Sequence, residues 1–380
     1  MTSVTLLATD VARLGGVQSV LWRLAEDFRA AGLEVRVAAL NEPHTHSTKT
    51  RGVPVLLGSA PWERLLHEDA WERIGLRRTR RLRLRPLAQQ VAARRLRDLV
   101  QDGVVLAFDV AAAELVRRAG LARRGIAAHH NSFAAISGTR DERRLRAATA
   151  QFFGLVALTE HDAQDFRDAG FTTGEILAIP NAVVRRHAVG DEEPRPFVLA
   201  AGRYHPQKAF DVLLEAWALT RARSDYRLLL VGEGPELPAL ERLRRRLALE
   251  DVHIRPPADV RRKLAGASVF VLSSRHEGFP LVVLEAMSAG VPVIATDCAP
   301  SIRELLGSPL AGVIVPVEAP AALARAIDEV LDDPDLAARL ATGGRLGAAR
   351  YAPERVIPRW LDLLVRVDGT CHDRQEVIGR

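Results

Sequence analysis

Short apolar runs alternate along this chain with longer stretches whose apolar residues recur at helical spacing. The first run is VTLLAT (4–9). In the stretch that follows, GGVQSVLWRLAEDFRAAG, residues Val17, Val20, Leu21, Leu24, Ala25 and Phe28 share one helical face. Gly32 closes that helix and LEVRVAAL reads as the next strand. VVLAF (104–108), GIAAHH (125–130) and GLVALT (154–159) are further strands. The second half repeats the scheme with PFVLAAG (196–202), the helix DVLLEAWALTRA, then YRLLLVGEG (226–234), VHIRP, SVFVLSS (268–274), VPVIATD (291–297) and GVIVP (312–316). This alternation predicts an α/β protein with parallel sheets covered by helices. Between the halves, VVRRHAVGDEEPRP (183–196) is polar, carries Gly and two prolines, and reads as a linker. No repeat of fixed period is present. Two doubly wound domains of this kind are expected to offer a cleft at the carboxyl ends of their strands, where such sheets bind ligands.

The chain length, 380 residues, agrees with two domains at roughly 100–200 residues each. Apolar residues make up 48% and charged residues 26%, which excludes wholesale disorder. No run of about 18 apolar residues exists to cross a membrane as a helix. The opening residues lack a basic region and Asp10 soon interrupts their apolar run, so they read as a buried strand and not a secretory signal. The cysteines, Cys298 and Cys371, are far apart and fit no metal spacing, which predicts a reducing, cytoplasmic setting and no bound metal.

Charge is unevenly spread. Residues 1–190 carry 28 basic and 20 acidic groups, the remainder 25 and 27, so the halves hold about +8 and −2 of the net +6. Of the 53 basic residues 50 are arginine, a bias that genome composition explains as readily as function. Many crowd between Arg73 and Arg97, within RIGLRRTRRLRLRPLAQQVAARRLRDLV (73–100). That stretch has three readings. It is a solvated helix face, a patch for peripheral contact with an anionic membrane or polymer, or a nucleic-acid contact. No helix-turn-helix signature or interleaved aromatics support the last, so no nucleic-acid partner is expected.

The richest stretch is SSRHEGFPLVVLEAMSAGVPVIATD (273–297). A strand ends at Ser273 and Ser274, a loop carries Glu277 and Gly278, and Pro280 suits the first turn of a helix running to Ala289 before Gly290. The N–H groups of Phe279, Leu281 and Val282 then form an anion site at the helix start. Glu277 ahead of the helix and Glu285 one turn inside it bracket whatever is held, and ionised carboxylates accept hydrogen bonds from hydroxyls. Upstream, AAGRYHPQKAFDVLLEA (200–216) delivers Gly202, Arg203 and Lys208, two cations beside a tight glycine that suit a diphosphate.

These two clusters, with VGEGPE (231–236) between them, resemble the retaining glycosyltransferases of family 4. Glu277 and Glu285 match that family's E-x7-E motif, and Arg203 and Lys208 its diphosphate-binding pair. Gly15 and Gly16 are similar to its glycine loop, HHN (129–131) to its strand-end histidine, and IPNAV (179–183) to its entry into the second domain. His130, directly before Asn131, fits the spacing better than His129. Ala209 departs from the glycine that usually follows the lysine.

The resemblance implies the GT-B fold, two Rossmann-like domains facing across a cleft. Residues 1–188 would form the acceptor domain, 195–350 the nucleotide-sugar donor domain, and 354–367 a helix returning to the first. It implies transfer from a UDP-linked sugar to a hydroxyl acceptor, with retention, front-face attack and no metal or other cofactor. Similarity of DCAPSIRELL (297–306) to members acting on cell-surface glycans or polyol-phosphate polymers points to a cell-envelope glycan, polyol phosphate or lipid as acceptor, which can be anionic. Peripheral contact through Arg73–Arg97 would set this cytoplasmic chain at the inner face of the plasma membrane. By the same resemblance Arg203 and Lys208 neutralise the leaving diphosphate, Glu285 holds the ribose, Glu277 the donor sugar, helped by Gly278 and Phe279, and His130 touches that sugar. Two alternatives remain: a sugar-nucleotide epimerase of the same fold and a non-catalytic nucleotide-sugar-binding protein.

Two signals are decoys. GEGPEL (232–237) starts like a dinucleotide fingerprint but has Leu237 where the third glycine belongs. Asp333-Pro334-Asp335 matches a metal motif but lies between helices, where Asp333 reads as a cap.

Overall fold

The computed structural model describes residues 3–11, 15–41, 53–56, 78–171, 174–183, 195–257, 259–307 and 310–378, with side chains for these except 78–87 and 370–378. The linker residues 184–194 and, of the arginine-rich stretch, residues 73–77 with the side chains of 78–87 lie outside it. The chain divides into two units, Met1–Ile179 with Ile357–Arg380, and Pro180–Val356.

The first unit is built on six parallel strands: β1 (Ser3–Ala8), β2 (Glu34–Ala39), β3 (Val104–Ala107), β4 (Gly125–Ala128), β5 (Gly154–Ala157) and β6 (Glu175–Ala178). Their order is β2-β1-β3-β4-β5-β6. VVLA, GIAA and GLVA are buried at every position, as strands covered on both faces must be. The helix Gly16–Ala30 buries Val20, Leu21, Leu24, Ala25 and Phe28, while Val17 is only half-buried. β6 was not foreseen. EILA has only four residues and begins on a glutamate, too little to stand out from a loop.

The helix Pro353–Ile378 carries the chain back into this unit from Ile357. Trp360, Leu363, Leu364 and Val367 are buried, and the Trp360 ring meets Phe28 edge-on at 6.3 Å. Arg359 donates to the carbonyl of Ala178, and Arg366 pairs with Glu175 at 3.1 Å, so this helix secures the edge strand β6.

The second unit has β7 (Phe197–Ala201), β8 (Arg227–Val231), β9 (Val252–Arg255), β10 (Val269–Leu272), β11 (Val293–Thr296) and β12 (Val313–Val315), all parallel. Their order, β12-β11-β10-β7-β8-β9, is the Rossmann order. The chain builds outward from β7 to β9, then returns to lay β10 on the other side of β7, with Val269 opposite Val198. That reversal makes the loops after β7 and β10 neighbours at the carboxyl ends of their strands, the place where sheets of this order bind ligands. The core beneath holds Val198, Leu213, Trp217, Leu230, Ile294 and Ile327.

Two glycines after β8 let its loop press against the loop after β7. A Cβ on Gly232 would stand 1.9 Å from the Gly202 carbonyl oxygen, and one on Gly234 2.3 Å from that of Tyr204. Tyr204 N–H donates to Glu233 O at 2.7 Å and Glu236 N–H to Tyr204 O at 3.1 Å. GEGPEL is thus a buttress for the 202–204 loop. Asp333 caps the helix Pro334–Ala348 by accepting from Leu336 N–H at 2.9 Å, the role read for it from sequence.

Trp360→Ala should cost about 3–5 kcal/mol, the usual penalty for emptying a buried aromatic site. Denaturant melting of the purified chain measures it, and an unchanged midpoint would show that the returning helix does not support the first unit.

Candidate active site

At the switch point of the second sheet, β7 delivers Gly202 and Arg203, and a single turn, Pro206–Lys208, follows. β10 ends at Leu272 and hands the chain to Ser273, Ser274 and the Glu277 loop. Strand pairing therefore sets two loops, 69 residues apart in sequence, side by side. Lys208 Nζ lies 2.6 Å from Glu277 Oε1, and the Ser274 hydroxyl donates to the same oxygen at 2.6 Å. Only 8% of the Glu277 side chain and 18% of that of Lys208 is exposed, so the pair is largely withdrawn from water. The Lys208 stem runs over Gly202, whose Cβ position would be 3.1 Å from Lys208 Cε.

The loops are also stitched together by their backbones. Ser273 Oγ donates to Lys208 O at 2.8 Å, Arg275 N–H to Gln207 O at 2.8 Å, and Gln207 Nε2 to His276 O at 2.9 Å. Thr296, at the end of β11, donates its hydroxyl to Ser274 O at 2.6 Å and supports the loop from the other side.

Helix Leu281–Ala289 has the limits read from sequence, with Gly290 in the left-handed conformation as its C-cap. Pro280 is the N-cap and lies just ahead of the first turn expected for it. Val283 and Leu284 N–H turn back to Pro280 O, which leaves those of Leu281 and Val282 at the open end. Phe279 is buried with its ring edge-on to Tyr351 at 5.6 Å, which fixes the backbone after Gly278. Glu285 is half-buried one turn inside the helix.

Arg203 is exposed, and among the described residues it makes no ion pair. Of the two cations expected to act together, the fold engages Lys208 with an acid and leaves Arg203 at the surface. Ala209, where the family pattern has glycine, takes φ 49° and ψ 42°. The position demands left-handed backbone, and alanine accepts it at a cost of roughly 1–2 kcal/mol.

In the first unit, Gly15 caps the helix Gly16–Ala30 without a side-chain hydrogen bond, and a Cβ on Gly16 would meet nothing within 4 Å. Asp109, unforeseen in the sequence, ties the ends of β1 and β3 together. It accepts from Thr9 N–H at 2.6 Å, Thr9 Oγ1 at 2.8 Å and Ala112 N–H at 2.9 Å. His129 and His130 follow β4. The His130 ring stacks on Phe108 at 5.1 Å, and His129 meets Phe166 edge-on at 5.1 Å. Both nitrogens of His130 and Nε2 of His129 are shielded from solvent without a hydrogen-bond partner among the described residues. Burial lowers the pKa of His129 to about 4. Burial, with the neighbouring His129, lowers that of His130 to about 3, so both rings are neutral at pH 7.

This geometry gives the comparisons with known proteins their meaning. Residues 195–333, which hold every site residue of the second unit, match the family model described as Glycosyl transferases group 1. That segment is similar to the group 1 glycosyltransferases. An uncharacterized glycosyltransferase of Haemophilus influenzae is 30% identical over 215 residues, 55% of this chain and 60% of its own length. The chain thus matches less than two thirds of that relative. Sucrose-phosphate synthase from Thermosynechococcus elongatus superposes with a TM-score of 0.76 at 19% identity, over 97% of this chain and 100% of its own. Anabaena HepE in complex with UDP gives 0.73 at 17%, over 96% and 100%. At such identities the likeness establishes the fold, which is GT-B.

Within the group 1 segment, Cys298 lies close enough to Glu277 and Lys208 to feel their charges. Burial above all, with the Glu277 charge, pushes its thiol up to about 12, so it is no thiolate nucleophile at neutral pH. The residues that sequence reasoning missed are Ser274, Gln207, Arg275, Asp211 and Glu318. Ser274 stands three residues before Glu277, a short spacing that could have flagged it. The others meet only through the sheet, at separations of 43 to 69 residues.

The two histidines set a pH dependence of stability. Both stay neutral when folded, so between their depressed values and the unfolded value near 6.5 the unfolded chain binds more protons. Stability should therefore fall as pH drops from about 6.5 toward 4. Thermal melting across this range should show a shallower fall for the double variant His129→Gln/His130→Gln, and an identical slope would contradict the assignment.

Proposed function

We propose that this chain is a retaining glycosyltransferase that moves a sugar, a hexose or N-acetylhexosamine, from a UDP-linked donor to a hydroxyl acceptor. The observation that carries this reading is the buried Lys208–Glu277 pair at the switch point of a group 1 glycosyltransferase segment. A uridine donor is supported by the neighbour HepE, solved with UDP and with UDP-glucose. The resemblance to members acting on cell-surface glycans supports an envelope glycan, polyol phosphate or lipid as acceptor.

As the bond from the anomeric carbon to the diphosphate stretches, the sugar gains oxocarbenium character and negative charge gathers on the departing phosphate. Lys208 has three N–H donors. Glu277 engages one, and the others are free to turn to phosphate oxygens. Because the Glu277 bond already fixes the ammonium group, little reorganisation is needed when charge develops. Arg203 and the N–H groups of Leu281 and Val282 add positive field from the helix start. One such fixed donor contributes on the order of 3–4 kcal/mol. Glu277 keeps its second oxygen for a sugar hydroxyl, beside Gly278 and Phe279, and Glu285 takes the ribose hydroxyls. Gly15 and Gly16 accommodate phosphate or acceptor. His130, with ring nitrogens that have no partner among the described residues, holds the donor sugar. No side chain acts as nucleophile. The acceptor oxygen bonds to the anomeric carbon on the face the diphosphate leaves, and the departing phosphate oxygen takes its proton. The reaction needs no metal.

Incubation of the chain with UDP-sugars, with and without a hydroxyl acceptor and in EDTA, should give transferred product only with the acceptor. Sugar conversion without acceptor would make the chain an epimerase, no conversion at all a binding protein, and rescue by Mn²⁺ of activity lost in EDTA would overturn metal independence. Lys208→Ala should lower kcat by about 100-fold or more, the scale for losing one transition-state donor, with KM for the acceptor little changed. A rise in donor KM with kcat intact would refute the leaving-group role.

A further inference from the structure

The Lys208–Glu277 pair is held in register by a residue that touches neither member with its side chain. Arg275 stands two positions before Glu277, and all five of its guanidinium N–H groups have acceptors. Nη1 and Nη2 clasp Asp211 as a two-pronged fork at 3.1 and 2.8 Å. Nη1 also donates to Pro206 O at 2.5 Å, Nε to Glu318 Oε1, and Nη2 to Glu318 Oε2 at 3.4 Å. Asp211 opens the helix Phe210–Leu219, directly after Lys208 and Ala209, and Glu318 lies in the turn between β12 and the helix Pro320–Asp332. One side chain thus gathers the Lys208 turn, the helix after it and the turn beyond β12 around the Glu277 loop.

Isolated surface ion pairs contribute little, and Asp211 and Glu318 are about half exposed. This arrangement differs in two respects. Its fork geometry fixes direction as well as distance, which a lysine cannot do. Glu318 also holds a left-handed backbone, φ 54°, without being glycine, and such strain persists only where surrounding contacts over-determine it.

We infer that Arg275 is a positioning residue, clamping the 206–208 turn to the 275–277 loop so that the Lys208 ammonium and the Glu277 carboxylate stay aligned for the departing diphosphate. The catalytic part of this rests on the transferase reading above, whereas the alignment of Lys208 does not. The chain has only three lysines, Lys49, Lys208 and Lys263, so NMR of protein labelled with ¹³C at lysine Cε resolves Lys208 directly, assigned by its loss in Lys208→Ala. In Arg275→Gln the Lys208 signal should move toward the position of free lysine while the other two stay. Turnover should fall about 10–100-fold, the scale of a misplacement of about 1 Å, with donor KM little changed. Arg275→Lys should recover part of the loss. In a Lys208→Ala background Arg275→Gln should reduce kcat no further, because one residue acts through the other, whereas an unrelated structural effect would add. If Arg275→Gln does not fold, Glu318→Gln, which removes one arm of the clamp, is read in the same way.

An unmoved Lys208 signal, additive losses, or a moved signal with undiminished turnover would each overturn the inference. If Lys208→Ala itself retains full turnover, the transferase mechanism fails, and the NMR signal still decides whether Arg275 aligns the pair.

Discussion

The second unit is organised around one ion pair that its strand order makes unavoidable. Lys208 and Glu277 belong to loops after β7 and β10, strands that become neighbours only because the chain reverses direction across the sheet. Taking two charges out of water is costly, and their attraction compensates only when geometry is good and the remaining lone pairs are satisfied. The surroundings meet that demand. Ser274 donates to the shared carboxylate oxygen, Ser273 and Gln207 bind the flanking carbonyls, and Thr296 braces the loop from β11. The preference of this stretch for serine, threonine and glutamine follows from the need to hold a buried charge pair still.

Both units solve the same topological problem with different chemistry. In the first, the ends of β1 and β3 meet at the reversal, and Asp109 joins them through the backbone and hydroxyl of Thr9 while capping the next helix. One carboxylate with three neutral donors makes a static staple. In the second, the corresponding ends carry a lysine and a glutamate joined as an ion pair. The first unit instead has, at the end of β4, histidine nitrogens with no partner among the described residues, on rings kept neutral by burial. A neutral imidazole carries one donor and one acceptor nitrogen and no charge.

Much of this was legible in the sequence, for physical reasons. Strands buried on both faces must be nearly all apolar, so VTLLA, FVLAA and VFVL declare themselves. Helix Leu281–Ala289 was legible because proline and glycine each punctuate a helix end in one characteristic way. β6 was not, because its stability comes from the helix Pro353–Ile378, which anchors Glu175 and Ala178 from almost 200 residues away. The Arg275 clamp was hidden for a similar reason. Each of its charges, read alone, is an ordinary exposed arginine, aspartate or glutamate, and only the sheet brings them together. Arg203 and Lys208 looked equivalent in sequence, yet the turn between them folds only Lys208 onto the acid.

Glycine illustrates why pattern alone misleads about ligands. GEGPEL has the look of a phosphate loop, but the protein itself requires its glycines, since a side chain at Gly232 or Gly234 would strike the backbone of the 202–204 loop. At Gly16 the described residues impose no such demand, for a Cβ there would project into open space at the start of a 15-residue helix. A glycine that its own chain compels carries no information about what binds, whereas one that nothing in the chain compels is free to reflect an outside partner. By that criterion the glycines after β8 belong to the scaffold of the second unit, whereas among the described residues no neighbour requires a glycine at position 16, at the start of its helix.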